Sequence, residues 1–160
     1  MITRYHAKYY AALITRQSAS GDLGSLSQSL LSSTVDINPH QIDAALFAFS
    51  SPFSKGVVLA DEVGLGKTIE AGLVVCQYWA TGKRKILIVC PASLRKQCES
   101  ELLDKFGIPS EILDTKNYNA YQREGKNPLT PKRAIICSYN FTAKHKEQIL
   151  LHGFDLAVKL

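Results

Sequence analysis

The residues best equipped for chemistry lie in one short stretch, Asp61-Glu62-Val63-Gly64-Leu65-Gly66-Lys67-Thr68. It follows an apolar run, Val57-Val58-Leu59-Ala60, and opens onto a helical pattern. Glycines let backbone amides approach phosphate oxygens closely, and a helix N-terminus adds the positive end of its dipole. A lysine at the position of Lys67 neutralises β- and γ-phosphates, and a hydroxyl at Thr68 ligates magnesium. The stretch therefore predicts a triphosphate cradle formed by Asp61, Glu62, Val63, Gly64, Leu65, Gly66, Lys67, Thr68 and Ile69, with Lys67 and Thr68 carrying the chemistry and Thr68 also the metal. The simplest competing account is a glycine turn that only joins strand to helix. One position departs from the general phosphate-loop pattern, which places glycine six residues before the lysine; here Asp61 stands there.

The elements around the loop read as α/β. Three runs rich in Val, Ile or Leu, at 56–60, 85–90 and 133–138, suit strands buried on both faces of a parallel sheet. A weaker strand falls at 110–113. Amphipathic segments at 67–80 and 92–106 supply crossover helices, the second with a ladder of Leu94, Cys98 and Leu102. Asn38-Pro39 is a helix start, since Asn caps orphan amides and proline is tolerated at the first helical position. The helix it opens should run from about His40 to Phe49 and bury Ile42, Ala45, Leu46 and Phe49. Residues 115–131 read as a polar surface excursion, 140–151 as one helix, and 154–158 as the start of a further strand. Ahead of all this, 5–17 and 23–33 have helical spacing, the second also being readable as a solvated connector.

Composition bounds the possibilities. With 160 residues, 46% apolar and 21% charged, the chain suits one globular domain or a piece of one. It contains no apolar run approaching the roughly 20 residues that cross a bilayer, and no secretory signal pattern. The four cysteines are dispersed without CxxC spacing, so they read as reduced core thiols in a cytoplasmic protein. A net charge of +5 is compatible with a polyanionic partner.

Asp61 within Leu59-Ala60-Asp61-Glu62-Val63-Gly64-Leu65-Gly66-Lys67-Thr68-Ile69-Glu70-Ala71-Gly72 resembles motif I of the Swi/Snf group of superfamily-two helicase-like ATPases, in particular its bacterial RapA-like branch. That group has an acidic residue where other phosphate loops have glycine. Asn38-Pro39-His40-Gln41 resembles the Q motif, which implies that Gln41 reads adenine and that the nucleotide is ATP; an amide donates and accepts at once, as N6 and N7 of adenine require. The segment from Val89 to Gln97 is similar to motif Ia, implying DNA-backbone contacts by Ser93 and by Arg95 or Lys96; a capped, solvated helix start fits those residues equally well. Cys137-Ser138-Tyr139 looks like a further strand-end motif near DNA, with Tyr139 as its contact or, alternatively, as a core residue.

The resemblance implies a RecA-like P-loop lobe over 37–160 behind an N-terminal helical extension over 1–36, using ATP and Mg2+ and acting, in the intact protein, on double-stranded DNA near the bacterial nucleoid. The family's next strand leads into a DEAH-type box. No such box occurs in this sequence, so we expect an incomplete lobe whose unpaired sheet edge favours self-association. A P-loop ATPase outside the helicase group, such as a ring-forming assembly ATPase, and a nucleotide-binding module without catalysis are the competing readings.

Overall fold

The computed structural model describes residues 38–50, 56–59, 67–129 and 133–160. The N-terminal segments 5–17 and 23–33, and the loop residues Asp61 to Gly66, lie outside the described residues.

Four parallel strands form a sheet in the order β2-β3-β1-β4, with β1 Ile86–Cys90, β2 Ser110–Ile112, β3 Ala134–Ser138 and β4 Leu156–Lys159. β1 is hydrogen-bonded on both sides, Ile88 standing opposite Ile136 of β3 and Val158 of β4. Its side chains alternate between two cores, as the period of a strand requires. Ile86, Ile88 and Cys90 join Ala134 and Ile136 on one face, and Leu87 joins Ile135 and Cys137 on the other. Hence both central runs are apolar throughout.

The first face is covered by α1 Pro39–Ser50, α2 Lys67–Ala80 and α3 Arg95–Phe106. From Gly72 to Gln77 every residue of α2 is buried, because α1, α3 and β4 surround it. The expected bounds of α1 and α2 agree with those observed. Ala92–Leu94 forms a separate 3-10 turn ahead of α3, which leaves Leu94 exposed and shifts the ladder by one turn to Cys98, Leu102 and Phe106. Gly107, in the left-handed conformation, ends α3 and sends the Ile108 amide back to the Leu102 carbonyl.

The second face is covered by α4 Thr115–Arg123, α5 Tyr139–Lys144 and α6 Lys146–His152, which contribute Tyr118, Phe141 and Ile149 to the core. Two expectations fail here. The polar excursion begins with a true helix, capped by the Asp114 carboxylate accepting from the Asn117 amide at 2.9 Å. Residues 140–151 are not one helix; the chain breaks at His145 into α5 and α6.

The expected strand at 56–60 is also corrected. Residues 56–59 are irregular and Val58 is 85% exposed. A β-prone run becomes a strand only where a neighbour supplies its ladder, and among the described residues β4 bonds to β1 alone. No helix of the described residues is long and apolar enough to cross a membrane.

Gly72 allows the close approach of α2 and α3. A Cβ at this position would overlap the ring of Phe106, which is itself buried. Alanine favours a helix interior by up to about 1 kcal/mol over glycine, whereas overpacking costs about 1–3 kcal/mol. We expect Gly72→Ala to lower the denaturation midpoint and the double variant with Phe106→Leu to recover part of the loss; a stabilised Gly72→Ala would show that Phe106 yields freely.

Candidate nucleotide and nucleic-acid sites

Lys67, the lysine of the expected phosphate loop, is the first residue of α2, and Thr68 and Ile69 follow in its first turn. Lys67 is exposed while Thr68 and Ile69 are half-buried. The first amides of any helix lack partners within it, so this terminus offers donors beside a cation and a hydroxyl. Three residues beyond Lys67, Glu70 is fully buried in the same first turn. Nothing in its local pattern marks it out; burial of a carboxylate is visible only once α1 and the sheet close over α2.

Gln41 is buried on α1, which packs directly against α2. Its Oε1 accepts the Asn38 backbone amide at 3.1 Å, the returning half of a capping box. The Gln41 side chain is thereby oriented by the helix start that carries it.

A second site lies at the carboxyl ends of the strands, where parallel α/β sheets present their ligand crevices. Three strand-to-helix turns converge there. Arg95 comes from the start of α3, Asp114 and Thr115 from the start of α4, and Ser138, Asn140, Phe141 and Lys144 from the junction of β3 and α5, enclosing about 290 Å3. β3 passes into α5 without a loop, because Ser138 ends the strand and its hydroxyl accepts the Phe141 amide at 3.3 Å. Arg95 is tethered by its Nε donating to the Ala92 carbonyl at 3.2 Å.

Under Arg95 lie thiols. Burial pushes Cys137 and Cys98 up to about 12 and raises Cys90 as well, while the positive charge of Arg95 partly opposes this for Cys90 and Cys137. All four cysteines are free and buried, as the sequence suggests, and these three remain protonated.

Of the residues expected to touch nucleic acid, only Arg95 lines this crevice. Ser93 and Lys96 are exposed on the same turn outside its wall. Tyr139 is no core residue: it is 38% exposed, its hydroxyl donates to the Leu160 carbonyl and Lys159 sits over its ring at 5.5 Å. Thr115, Asn140 and Lys144 were not foreseen, since nothing local distinguishes them until the topology brings them together.

The α5–α6 break is fixed by aromatic packing. The His145 ring lies 4.3 Å from that of Tyr118 and 4.4 Å from that of Phe141, and its Nε2 is buried without a hydrogen-bond partner. Desolvation first, and the neighbouring Lys144 second, lower its pKa below the usual 6.5.

The parallel sheet covered by helices on both faces, with its ligand-facing ends grouped on one side, defines a RecA-like α/β lobe. Its fold is like that of the Sulfolobus solfataricus SWI2/SNF2 ATPase core solved in complex with double-stranded DNA, with a TM-score of 0.60, 18% identity, and coverage of 81% of this chain and 32% of that one. The SNF2-related domain matches residues 6–157, and the chain belongs to that family. It is similar to the RNA polymerase-associated protein RapA of Yersinia enterocolitica, 37% identical over 124 residues that make up 75% of this chain and 13% of the relative. RapA of Cronobacter sakazakii is 33% identical over 147 residues, 91% of this chain and 14% of the relative. The chain thus spans about one seventh of the length of these relatives.

The half-buried His145 imidazole makes stability depend on pH. A histidine whose folded-state pKa lies below its unfolded value binds fewer protons when folded, so stability is complete above about 6.5 and is lost as the pH falls from there through the lower folded-state value. His152, lowered by desolvation and then by Lys85, acts in the same direction. Thermal unfolding between pH 7.5 and 5 should show a falling midpoint, and His145→Phe should flatten that dependence while leaving the share due to His152. An unchanged slope in the variant would refute the assignment.

Proposed function

We propose that this chain is the ATP-binding portion of the first motor lobe of a DNA-dependent ATPase, a helicase-like translocase that moves on duplex DNA and remodels the complexes bound to it. The observation that carries this reading is the start of α2 at Lys67, directly after the glycine loop, which sets a cation, a hydroxyl and unpaired helix amides at one point.

ATP and Mg2+ suit these residues. Lys67 would neutralise the β- and γ-phosphates, Thr68 would ligate the magnesium, and the backbone from Asp61 to Ile69 would wrap the phosphates. The adenine edge is assigned to Gln41, whose orientation is set by the Asn38 amide. Ser93, Arg95, Lys96 and Tyr139 are assigned to the nucleic-acid side, with Arg95 the best placed. We place the lobe at 37–160 and a helical extension at 1–36, in a protein of the bacterial cytoplasm near the nucleoid. Family membership supports the reading, as does the description of the related solved core as an ATPase bound to double-stranded DNA.

Phosphoryl transfer depends on several positioned charges, and the carboxylate box of this group does not occur in these residues. The 160 residues alone should therefore bind ATP weakly and turn it over negligibly. In the longer protein that carries the lobe, Lys67→Ala should reduce DNA-stimulated ATP hydrolysis by about 100-fold or more; hydrolysis at the unsubstituted rate would overturn the assignment.

The outer edge of β4 and the exposed Leu150 and Leu151 support self-association of the isolated chain. Light scattering should report species larger than a monomer that grow with concentration, whereas a monomer throughout would remove this proposal.

A further inference from the structure

The strand starts form the end of the sheet away from the crevice, and the turn from α2 into β1 concentrates positive charge there. Lys83, Arg84 and Lys85 are consecutive and exposed. The turn that presents them is fixed: the Thr81, Gly82 and Lys83 amides donate to the carbonyls of Gln77, Trp79 and Tyr78, and Gly82 supplies the left-handed residue. Lys83 lies 5.1 Å from the centre of the Tyr78 ring, and Arg84 lies 5.0 Å from that of Trp79. The rings hold both side chains without neutralising them. Among the described residues the ion pairs are Lys105–Glu101 and Lys126–Glu124, so none of the three cations has a carboxylate partner there. Asp155 accepts the Lys85 backbone amide at 3.1 Å, which sets three cations against one carboxylate.

A groove of about 770 Å3 opens beside this turn, at the ends of α4 and α6. Tyr118, Leu129 and Leu151 give it apolar walls, and Leu151 is 87% exposed. Gln148 and His152 are polar, and Lys126 is already paired with Glu124. Groove and turn adjoin at His152, whose pKa is lowered first by desolvation and then by the charge of Lys85. The dipole of α2 accounts for a cation near its end, but not for an apolar groove next to three of them.

We propose that this end of the sheet docks an acidic segment of a partner protein, with an aliphatic side chain in the groove and the neighbouring carboxylates on Lys83, Arg84 and Lys85. Charge complementarity selects an acidic partner, and the apolar walls select a polypeptide, because a nucleic-acid backbone would match the cations and leave the groove unfilled. Tyr78 and Trp79 are no platform for bases either, since their rings are taken up by Phe49, Lys83 and Arg84. The proposal is independent of the nucleotide and duplex readings above.

The test uses the 160-residue chain, at dilutions where light scattering reports a monomer, and a short peptide that alternates Glu, Asp and Leu. The fluorescein-labelled peptide should bind by anisotropy, and the unlabelled one should change the emission of Trp79, the single tryptophan of the chain. Joint replacement Lys83→Glu and Lys85→Glu should weaken binding by about 10-fold or more, and Leu151→Ser should weaken it several-fold. Peptides with Gln and Asn in place of the acids, or with Ser in place of Leu, should lose affinity in the same way. Binding indifferent to the charge reversal, or retained in full by both Leu151→Ser and the Leu-free peptide, would overturn the proposal. So would an absence of peptide binding, or binding that leaves Trp79 emission unchanged. Single-stranded DNA of equal charge that binds more tightly than the peptide and displaces it would mark a nucleic-acid surface instead. Circular dichroism checks the fold of each variant, and if the double charge reversal unfolds, Lys85→Gln and the peptide series decide.

Discussion

The central constraint is the parallel ladder on both sides of β1. Parallel neighbours cannot be joined by tight turns, so every connection must cross the sheet and return, usually as a helix. With β3 on one side of β1 and β4 on the other, all strand ends that precede a helix point the same way. That direction decides where chemistry can be assembled. Cys90, Ile112 and Ser138 end their strands at one edge, and the 3-10 turn, α4 and α5 begin within a few residues of them. Arg95, Thr115 and Lys144 are separated in sequence yet share a wall because the ladder allows no other arrangement.

The two faces solve different problems. On the α1–α3 side, α2 is buried nearly all round, and its polar residues there, Glu70 and Gln77, are enclosed together with Gln41 of α1. Desolvated polar groups are costly unless satisfied, and for that reason such an arrangement tolerates few alternative packings. This rigidity is placed directly behind the helix terminus that carries Lys67. On the other side the cover consists of three short helices pinned by an aromatic cluster, with Tyr121 of α4 donating to Glu111 of β2 at 2.6 Å. The bond to Glu111, ahead of desolvation, raises the Tyr121 pKa and keeps the donor protonated.

Much of the fold was legible in the sequence where a segment is buried on both faces. The runs at 86–90 and 134–137 are apolar throughout because both neighbours and both cores demand it, and α2 has the bounds, Lys67–Ala80, that its helical pattern predicts. Legibility fails where a partner decides the outcome. Val57-Val58-Leu59 has the composition of a strand but lacks a neighbouring ladder among the described residues. Thr115–Arg123 offers only Tyr118 for full burial, so its helical period is too faint to separate from a loop, and it is the Asp114 cap and the second core that make it a helix. The single helix expected at 140–151 overlooked the insertion of His145 between two rings, a tertiary contact without sequence signature.

The same distinction governs the two candidate sites. Lys67 and Thr68 are contiguous with the glycines before them, so the chemistry proposed for them is read from one octapeptide without a structure. Gln41 shows the limit of such reading: type and helix position were legible, but its burial and its bond to the Asn38 amide required α1 to be seated on α2. The crevice is the opposite case, since its cations belong to different turns and each alone resembles an ordinary solvated lysine or arginine. A contiguous motif identifies a ligand class because its geometry is local. A convergent one acquires meaning only from the ladder that orders the strands, and in this lobe that ladder brings Arg95 and Lys144 to one wall while Lys67 opens α2 by itself.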